Sequence, residues 1–514
     1  MKPLTSFCYT SDDYPVFFRK WERCRDIFAG SDLVKSLGDK YLPKSRWHRH
    51  GGADGKQDYE DYKARAIFFA YLKDAIETSM GILKKGEPTI KLPPAIAFME
   101  DSATVYHDGL VALKGKLDRI VMLTGCAGLS LEPNNQGNGT KERPDFFINI
   151  WQPESIKDKN FDRDELTGET YATMVLLDES DYIFDKKTKT RTPEYKWRIM
   201  GLDADGFYYT APLSPEQYPN FDLDHPPVAA DQNNPQPGEA VYPLYRGDRF
   251  TRIPFTFVNA TDLSGGHYED PPLYDLADLV IALYRAEADY RQTLHFTASD
   301  FYAHTGCTDP KRQPKLSVGA GGMLHLGEGE DIKIVSSPGG GATLQRESLE
   351  SLHRQCQTRI MTLLNVGANQ SGAALEIVQN SKSARLEPIN QNTANAIAEQ
   401  LRFAAEWGGM SRKEAYSEVV FSAAKIEDTT LVVAQLQSLW HSMMTEAYPL
   451  TRRDFHNLQR RANITSNDFD QNNEALEIER AQEETLHLKN GGYLPGEIES
   501  MNKQTAVKPD GERK

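Results

Sequence analysis

The sequence predicts an α+β fold, and three observations carry that expectation. Apolar residues recur every three or four positions through 14–35, 58–85 and 104–122, the period of helices with one buried face. Between 146 and 258 the period changes to that of strands. From 271 onward helical spacing returns, interrupted by a compact, glycine-punctuated insert.

The first helix, 14–35, places Phe17, Phe18, Trp21, Cys24 and Ile27 on one stripe. The segment 44–59 reads as a solvated polar loop; the pair His48 and His50 beside Arg49 is assigned to that loop rather than to a metal or phosphate site. A helix over 58–85 carries Tyr62, Ala66, Phe69, Leu72, Ile76 and Met80, and a proline-rich extended piece, 87–96, separates it from a helix over 104–122.

Strands are expected at 147–151, 170–184, 195–213 and 242–258, with Asp203-Ala204-Asp205-Gly206 as a tight turn, together forming an antiparallel sheet or barrel-like unit. The pairs Asp162/Asp164, Asp203/Asp205 and Asp222/Asp224 are turn and cap residues, because none opens the twelve-residue loop with a terminal glutamate that calcium would require. The segment 226–238, with its prolines, is a surface loop.

An apolar strand through Ile253, Phe255, Phe257 and Val258 breaks at Ser264, Gly265 and Gly266. Asp270 is the expected N-cap of a helix over 271–296. The insert 297–344 should hold strands near 301–304, 323–326 and 332–335, and a return helix over 345–364 carries Leu349, Leu352, Cys356, Ile360, Leu363 and Leu364. That helix stops at Asn365-Val366-Gly367. A long helix, 376–407, follows, with a kink expected near Leu386 because Pro388 removes a hydrogen bond and crowds the preceding turn. Further helix is expected over 428–461, a solvated acidic helix over 474–484, and a polar segment beyond 490 that is ordered only if a partner holds it.

Composition narrows the function. Lys plus Arg number 59 and Asp plus Glu 74, so the net charge is 59 − 74 = −15, which argues against a free-standing protein that grips duplex DNA by neutralising its phosphates. The five cysteines, Cys8, Cys24, Cys126, Cys307 and Cys356, are far apart and form no metal-ligand pattern; they read as reduced thiols. No signal peptide and no run near the ~20 apolar residues of a membrane span is apparent. There is no G-x-x-x-x-G-K-[ST], H-E-x-x-H or G-x-S-x-G motif, and glycines 319, 321, 322, 327 and 329 lie between short strands, where turn geometry accounts for them.

The order of an apolar strand, a helix containing Asp275-Leu276-Ala277-Asp278-Leu279-Val280-Ile281-Ala282-Leu283-Tyr284-Arg285-Ala286-Glu287-Ala288-Asp289, a small β insert, a return helix and the restart Ser371-Gly372-Ala373-Ala374-Leu375 resembles the portal proteins (head-to-tail connectors) of tailed bacteriophages. The resemblance extends over most of the chain, including 14–43, 58–84 with its exit Ile90-Lys91-Leu92-Pro93-Pro94, and 436–461. It implies a portal fold: an N-terminal wing, 1–262, containing the β unit 146–258; a first stem helix, 263–296; a clip, 297–344; a second stem helix, 345–364; a channel loop, 365–375; a kinked body helix, 376–427; a helical crown, 428–488; and a polar tail, 489–514.

The resemblance further implies a homododecameric ring at one capsid vertex of the virion, assembled in the bacterial cytoplasm, through which double-stranded DNA is packaged and ejected. Terminase large subunit and then a tail adaptor would dock on it, and the major capsid and scaffolding proteins would surround it; no membrane, cofactor, metal or catalytic residue is implied. The channel-loop residues would be Asn365, Val366, Gly367, Ala368, Asn369, Gln370, Ser371 and Gly372, with Lys382 and Arg385 as basic groups able to reach phosphates, and Phe301, Tyr302, Met323 and Leu326 as the docking surface of a clip of minimal size. An acidic conduit suits that role, since like-charged walls let a polyanion slide. The alternatives are a minor head or adaptor protein, and a hydrolase using Asp178 and Asp181 in the β unit.

Overall fold

The computed structural model describes residues 10–424 except 85, 135–139, 141–143, 164–169, 233, 246–247, 262–265, 298–300, 306–330, 336–339 and 365–371. The expected helices at 428–461 and 474–484 and the tail therefore lie outside the described residues.

The N-terminal third is helical, but it is cut more finely than periodicity suggests. The expected helix over 14–35 is two helices, α1 (Tyr14–Ala29) and α2 (Ser31–Ser36), because Gly30 between them has φ +97°, a left-handed conformation that ends one helix and re-aims the next. The polar stretch 44–59 is not a loop. It forms α3 (Arg46–His50) and the start of α4 (Gly52–Arg65). Ser45 Oγ accepts from the His48 N–H at 3.2 Å while His48 Nδ1 accepts from the Ser45 N–H at 3.2 Å, so histidine fills the place that glutamate takes in the usual capping box. His48 Nε2 also lies 3.2 Å from Asp58, which accounts for that histidine without a ligand.

The helix expected over 58–85 likewise breaks, after Arg65, and resumes as α5 (Tyr71–Leu83). The extended link lets two adjacent rings reach different neighbours: Phe68 meets Tyr284 edge-on at 5.7 Å and Phe69 meets His353 at 4.6 Å. Next come β1 (Thr89–Lys91), a single 3-10 stretch (Pro94–Glu100) and α6 (Leu110–Thr124). The helix begins at 110, not 104, because 103–108 closes a tight loop in which the Ala103 N–H donates to the Asp108 carbonyl at 2.8 Å.

The β unit resolves into two antiparallel sheets and two ribbons rather than one sheet or barrel. β2 (Cys126–Pro133) is the central strand of a three-stranded sheet, between β3 (Phe146–Trp151) and a later strand, β12 (Phe255–Asn259). Six consecutive β2 residues are buried, so it lacks the alternation that marks half-buried strands and escapes detection by period. β4 (Ile156–Arg163), β5 (Thr170–Asp178), β8 (Trp197–Leu202) and β9 (Tyr208–Leu213) form the four-stranded sheet in that order, over a small core of Leu176, Trp197, Ile199 and Tyr209. The ribbons are β6 (Asp181–Asp185) with β7 (Thr190–Glu194), and β10 (Leu244–Tyr245) with β11 (Asp248–Arg249). Asp203 and Asp222 accept backbone N–H bonds two to four residues on, in keeping with their expected turn role.

The remaining elements are α7 (Tyr274–Thr297), β13 (Phe301–Thr305), β14 (Asp331–Val335), α8 (Gly340–Leu364), α9 (Gly372–Trp407), α10 (Arg412–Glu418) and β15 (Val420–Ser422). α7 starts at 274, and Asp270 does not cap it; its carboxylate instead pairs with Lys20 of α1. β15 returns to pair with β1, Ile90 opposite Phe421, closing the described chain on itself. The stripe expected on the long helix, Ile389, Ala394, Ile397, Ala398, Leu401 and Ala405, is buried throughout.

The main core joins these layers, and an aromatic cluster of Tyr14, Phe17, Trp21, Phe257 and Tyr268 locks α1 to the three-stranded sheet and to the approach to α7. Lys159 caps this cluster, its Nζ 3.2 Å from the Tyr268 ring centroid and 4.7 Å from that of Phe257. Burial pushes its pKa down to about 8. A lysine depressed in the folded state binds fewer protons folded than unfolded between pH ~8 and ~10.4, so stability rises with pH across that window. Relative to Lys159→Met, the wild-type denaturation midpoint should therefore rise as pH goes from 7 to 10; parallel pH profiles for the two proteins would show that Lys159 is not depressed.

Candidate channel and interface site

Two antiparallel helices, α7 and α8, joined through the β13–β14 ribbon, form the region in which the sequence places stem and clip. The first part of α7 is seated deep: Leu276, Ala277, Val280, Ile281, Leu283, Tyr284, Glu287 and Ala288 are all buried, the i, i+3, i+4 stripe of a core helix. Glu287 is reconciled with burial by Arg291, whose Nε donates to it at 2.7 Å. Beyond Ala288 no residue of α7 is buried, and Phe296 is 62% exposed.

α8 sits differently. Among its residues 341–360 only Leu349 and Cys356 are buried, seven positions apart, so the helix touches its own subunit along a single line. Leu344 at its start is 69% exposed. His353 fixes the helix to α5 through Tyr71, the hydroxyl and Nδ1 2.9 Å apart. An open groove of about 800 Å³ follows the outer side of α7 and α8, where Asp275, Asp278, Arg354 and Arg359 mix both signs of charge; Arg359 Nη1 and Asp275 Oδ2 are 3.8 Å apart.

The expected strands at 301–304 and 332–335 are present as β13 and β14, in register from Phe301 opposite Val335 to Thr305 opposite Asp331. Phe301 and Tyr302 are thus on β13, while Met323, Leu326 and the third expected strand lie outside the described residues. Of the channel-loop residues, Asn365, Val366, Gly367, Ala368, Asn369, Gln370 and Ser371 lie outside them too, and Gly372 opens α9. Lys382 and Arg385 stand on α9 three positions apart, spacing that puts them on one face.

α9 runs on through Pro388 as helix, and just beyond it a buried polar cluster ties it to α6. Lys114 Nζ donates to Asp118 Oδ2 and to Asn390 Oδ1, both at 2.8 Å; Thr393 Oγ1 donates to Asp118 Oδ1 at 2.5 Å; and Asn390 Nδ2 donates to the Ala424 carbonyl at 2.8 Å. Burial raises the Asp118 pKa, and Lys114 and Thr393 oppose that rise. In the sequence the only sign of this cluster is a Lys and an Asp four apart within the apolar period of α6, a spacing that local pattern alone does not tie to α9.

Asp178 and Asp181, the alternative catalytic pair, are separately engaged. Asp178 pairs with Lys157 at 3.1 Å and accepts from the Ser180 N–H, whereas Asp181 lies exposed on β6 and accepts from the Tyr182 N–H at 2.7 Å. Among the described residues no group of three or more His, Cys, Asp or Glu side chains could hold a metal, and no helix is long and apolar enough to cross a membrane. Cys24, Cys126 and Cys356 are free and buried; Cys8 and Cys307 lie outside the described residues.

A family model described as a domain of unknown function (DUF4055) matches residues 272–408, the stretch from the start of α7 to the end of α9. No curated protein matches the chain. Among solved structures, the chain is similar to one in the virion of a native gene transfer agent (GTA) particle, at a TM-score of 0.39 and 10% identity, covering 77% of this chain and 92% of that one. It is also similar to a chain in the neck of the native GTA particle computed with C12 symmetry (TM-score 0.37, 10% identity, 76% and 89% covered) and to one in the neck of the empty GTA particle computed with C6 symmetry (0.36, 9%, 75% and 88%).

Proposed function

We propose that this chain is the subunit of a phage portal ring, which conducts double-stranded DNA during packaging and ejection and offers its clip to terminase and then to a tail adaptor. The observation that carries this reading is the seating of α8: over 341–360 it is held to its own subunit along one line, with Leu344 open to solvent and the far end of α7 unburied beside the β13–β14 ribbon. Such a helix gains its remaining burial from a neighbour, and a head-to-tail contact of this kind repeats until it closes by rotation. The sequence resemblance supplies the role, and the mixed-charge groove between α7 and α8 supplies polar groups for the neighbour to meet. The net charge of −15 suits a channel that does not trap its cargo.

The test is mass. Twelve subunits of 57.9 kDa give 12 × 57.9 kDa, about 0.7 MDa, and purified protein should show closed particles of that mass by mass photometry and a central hole in electron micrographs. Monomers alone across a range of salt and protein concentrations would refute the ring.

A further inference from the structure

The β6–β7 ribbon is the projecting end of the β5–β8 hairpin: Asp178 pairs with Trp197, the Glu179 N–H donates to the Lys196 carbonyl at 2.8 Å, and the same register continues as Asp181 opposite Glu194. Neither strand pairs with any strand but the other, and every residue from 186 to 196 is exposed. The sheet anchors the base of this hairpin, so its exposed far end is held out from the sheet as a narrow projection. Its register gives it two unlike faces. Tyr182 pairs with Pro193 and Phe184 with Arg191 on one face; Asp181 pairs with Glu194, Ile183 with Thr192 and Asp185 with Thr190 on the other. The carboxylates thus share one face, and the aromatic rings and the arginine share the opposite one.

The tip between the strands is strongly basic. Lys186, Lys187, Lys189 and Arg191 place four positive charges within six residues of a chain whose net charge is −15. Their side chains are exposed, and none joins an ion pair with another described residue. The tip is also held in shape: Asp185 accepts from the Lys187 N–H and from Thr188 Oγ1, each at 2.8 Å, and Lys189 sits at φ +54°. Glycine or asparagine adopts that left-handed conformation at less cost, so a lysine there trades local comfort for charge.

We propose that this tip, with the Phe184–Arg191 face behind it, is a contact site for the phosphate backbone of duplex DNA. Four cations with no ion-pair partner among the described residues, held on a narrow, preshaped projection, match the sign of a polyanion; Asp181 and Glu194 lie on the far face, and the one carboxylate at the tip, Asp185, is engaged by the Lys187 N–H and Thr188. Such contacts fix position and carry no sequence information, so binding is weak and sequence-independent. The inference stands on the ribbon's own geometry and does not require the ring.

Fluorescence anisotropy of the full chain with a labelled mixed-sequence duplex, titrated across salt, tests it. Replacing Lys186, Lys187, Lys189 and Arg191 by glutamine should flatten the dependence of log affinity on log salt by about 0.9 per lost phosphate contact, roughly 3.6 for all four. Between roughly 50 and 200 mM salt that corresponds to a change on the order of 10²-fold in affinity, present in the wild type and absent from the variant. Replacing Asp181 and Glu194 by their amides should leave the slope as it is. The substituted positions are exposed, so circular dichroism should be unchanged. An unaltered slope in a folded quadruple variant overturns the proposal, whether or not rings still form. So does loss of ring mass without loss of DNA binding, which would make the ribbon a contact between copies. Competition by poly-glutamate as effective as by duplex would reassign the tip to an acidic protein surface.

Discussion

Replacing Asn365, Asn369 and Gln370 by lysine should leave ring assembly intact while sharply reducing DNA packaging or its retention. The wild-type stretch 365–372 carries no charge, so as the proposed channel lining it would neither trap phosphates nor repel them strongly. Three lysines per subunit would add about 36 positive charges to a twelve-fold ring at the proposed constriction, an array strong enough to arrest a sliding polyanion. The readouts are particle mass, for assembly, and the amount and length of DNA protected from nuclease, for packaging. Full-length genomes packaged at the wild-type rate by intact rings would show that 365–372 does not line the channel.

Removing one carboxylate from the core should cost more stability than any surface change. Asp118 and Lys114 are 2% and 6% exposed, and between them they organise Asn390 and Thr393 of α9. Asp118→Ala leaves the ammonium buried without its countercharge, with Thr393 keeping only its bonds to the Ile389 and Asn390 carbonyls, a loss of about 3–5 kcal/mol by the usual cost of breaking a buried pair. Replacing both ions by apolar side chains, Lys114→Met with Asp118→Leu, should recover most of it, because the penalty comes from the orphaned charge and not from a large intrinsic gain of the pair. Denaturant midpoints of the three variants decide the matter. A loss under about 1 kcal/mol for Asp118→Ala would mean that the interior is wetter there than its burial implies. The cluster lies directly after Pro388, where the helix lacks a backbone N–H, so its loss should also loosen the helix that carries Lys382 and Arg385.

Much of the fold was legible in the sequence wherever an element buries one face and wets the other. The stripe on α7, the six-residue stripe on α9, the strands β13 and β14 and the aspartate turns all follow from local periodicity or local hydrogen bonding, because in each case the residue's own neighbours dictate its environment. Of the candidate site, the strand holding Phe301 and Tyr302 and the helix holding Lys382 and Arg385 could be read in this way. The arrangement of helices about an insert likewise needed only pattern and glycine.

Tertiary structure alone decided the rest. β2 is covered on both faces, so its Cys-Ala-Gly-Leu-Ser-Leu run shows no period, and only the completed sheet reveals it as the central strand. The break after Arg65 is set by two aromatic partners hundreds of residues away, Tyr284 and His353, which no local propensity can report. Apolar positions on α8 looked equal in sequence, yet among its described side chains Leu349 and Cys356 are buried while Leu352 and Ile360 are half-buried against the core, because packing against a distant α5 and α7 determines which part of a stripe is used. The basic run at 186–191 was equally visible as composition. Its display at the exposed end of the β5–β8 hairpin, with Asp181 and Glu194 on the face opposite Arg191, is a property of register and pairing, and those are settled by the fold rather than by the segment itself.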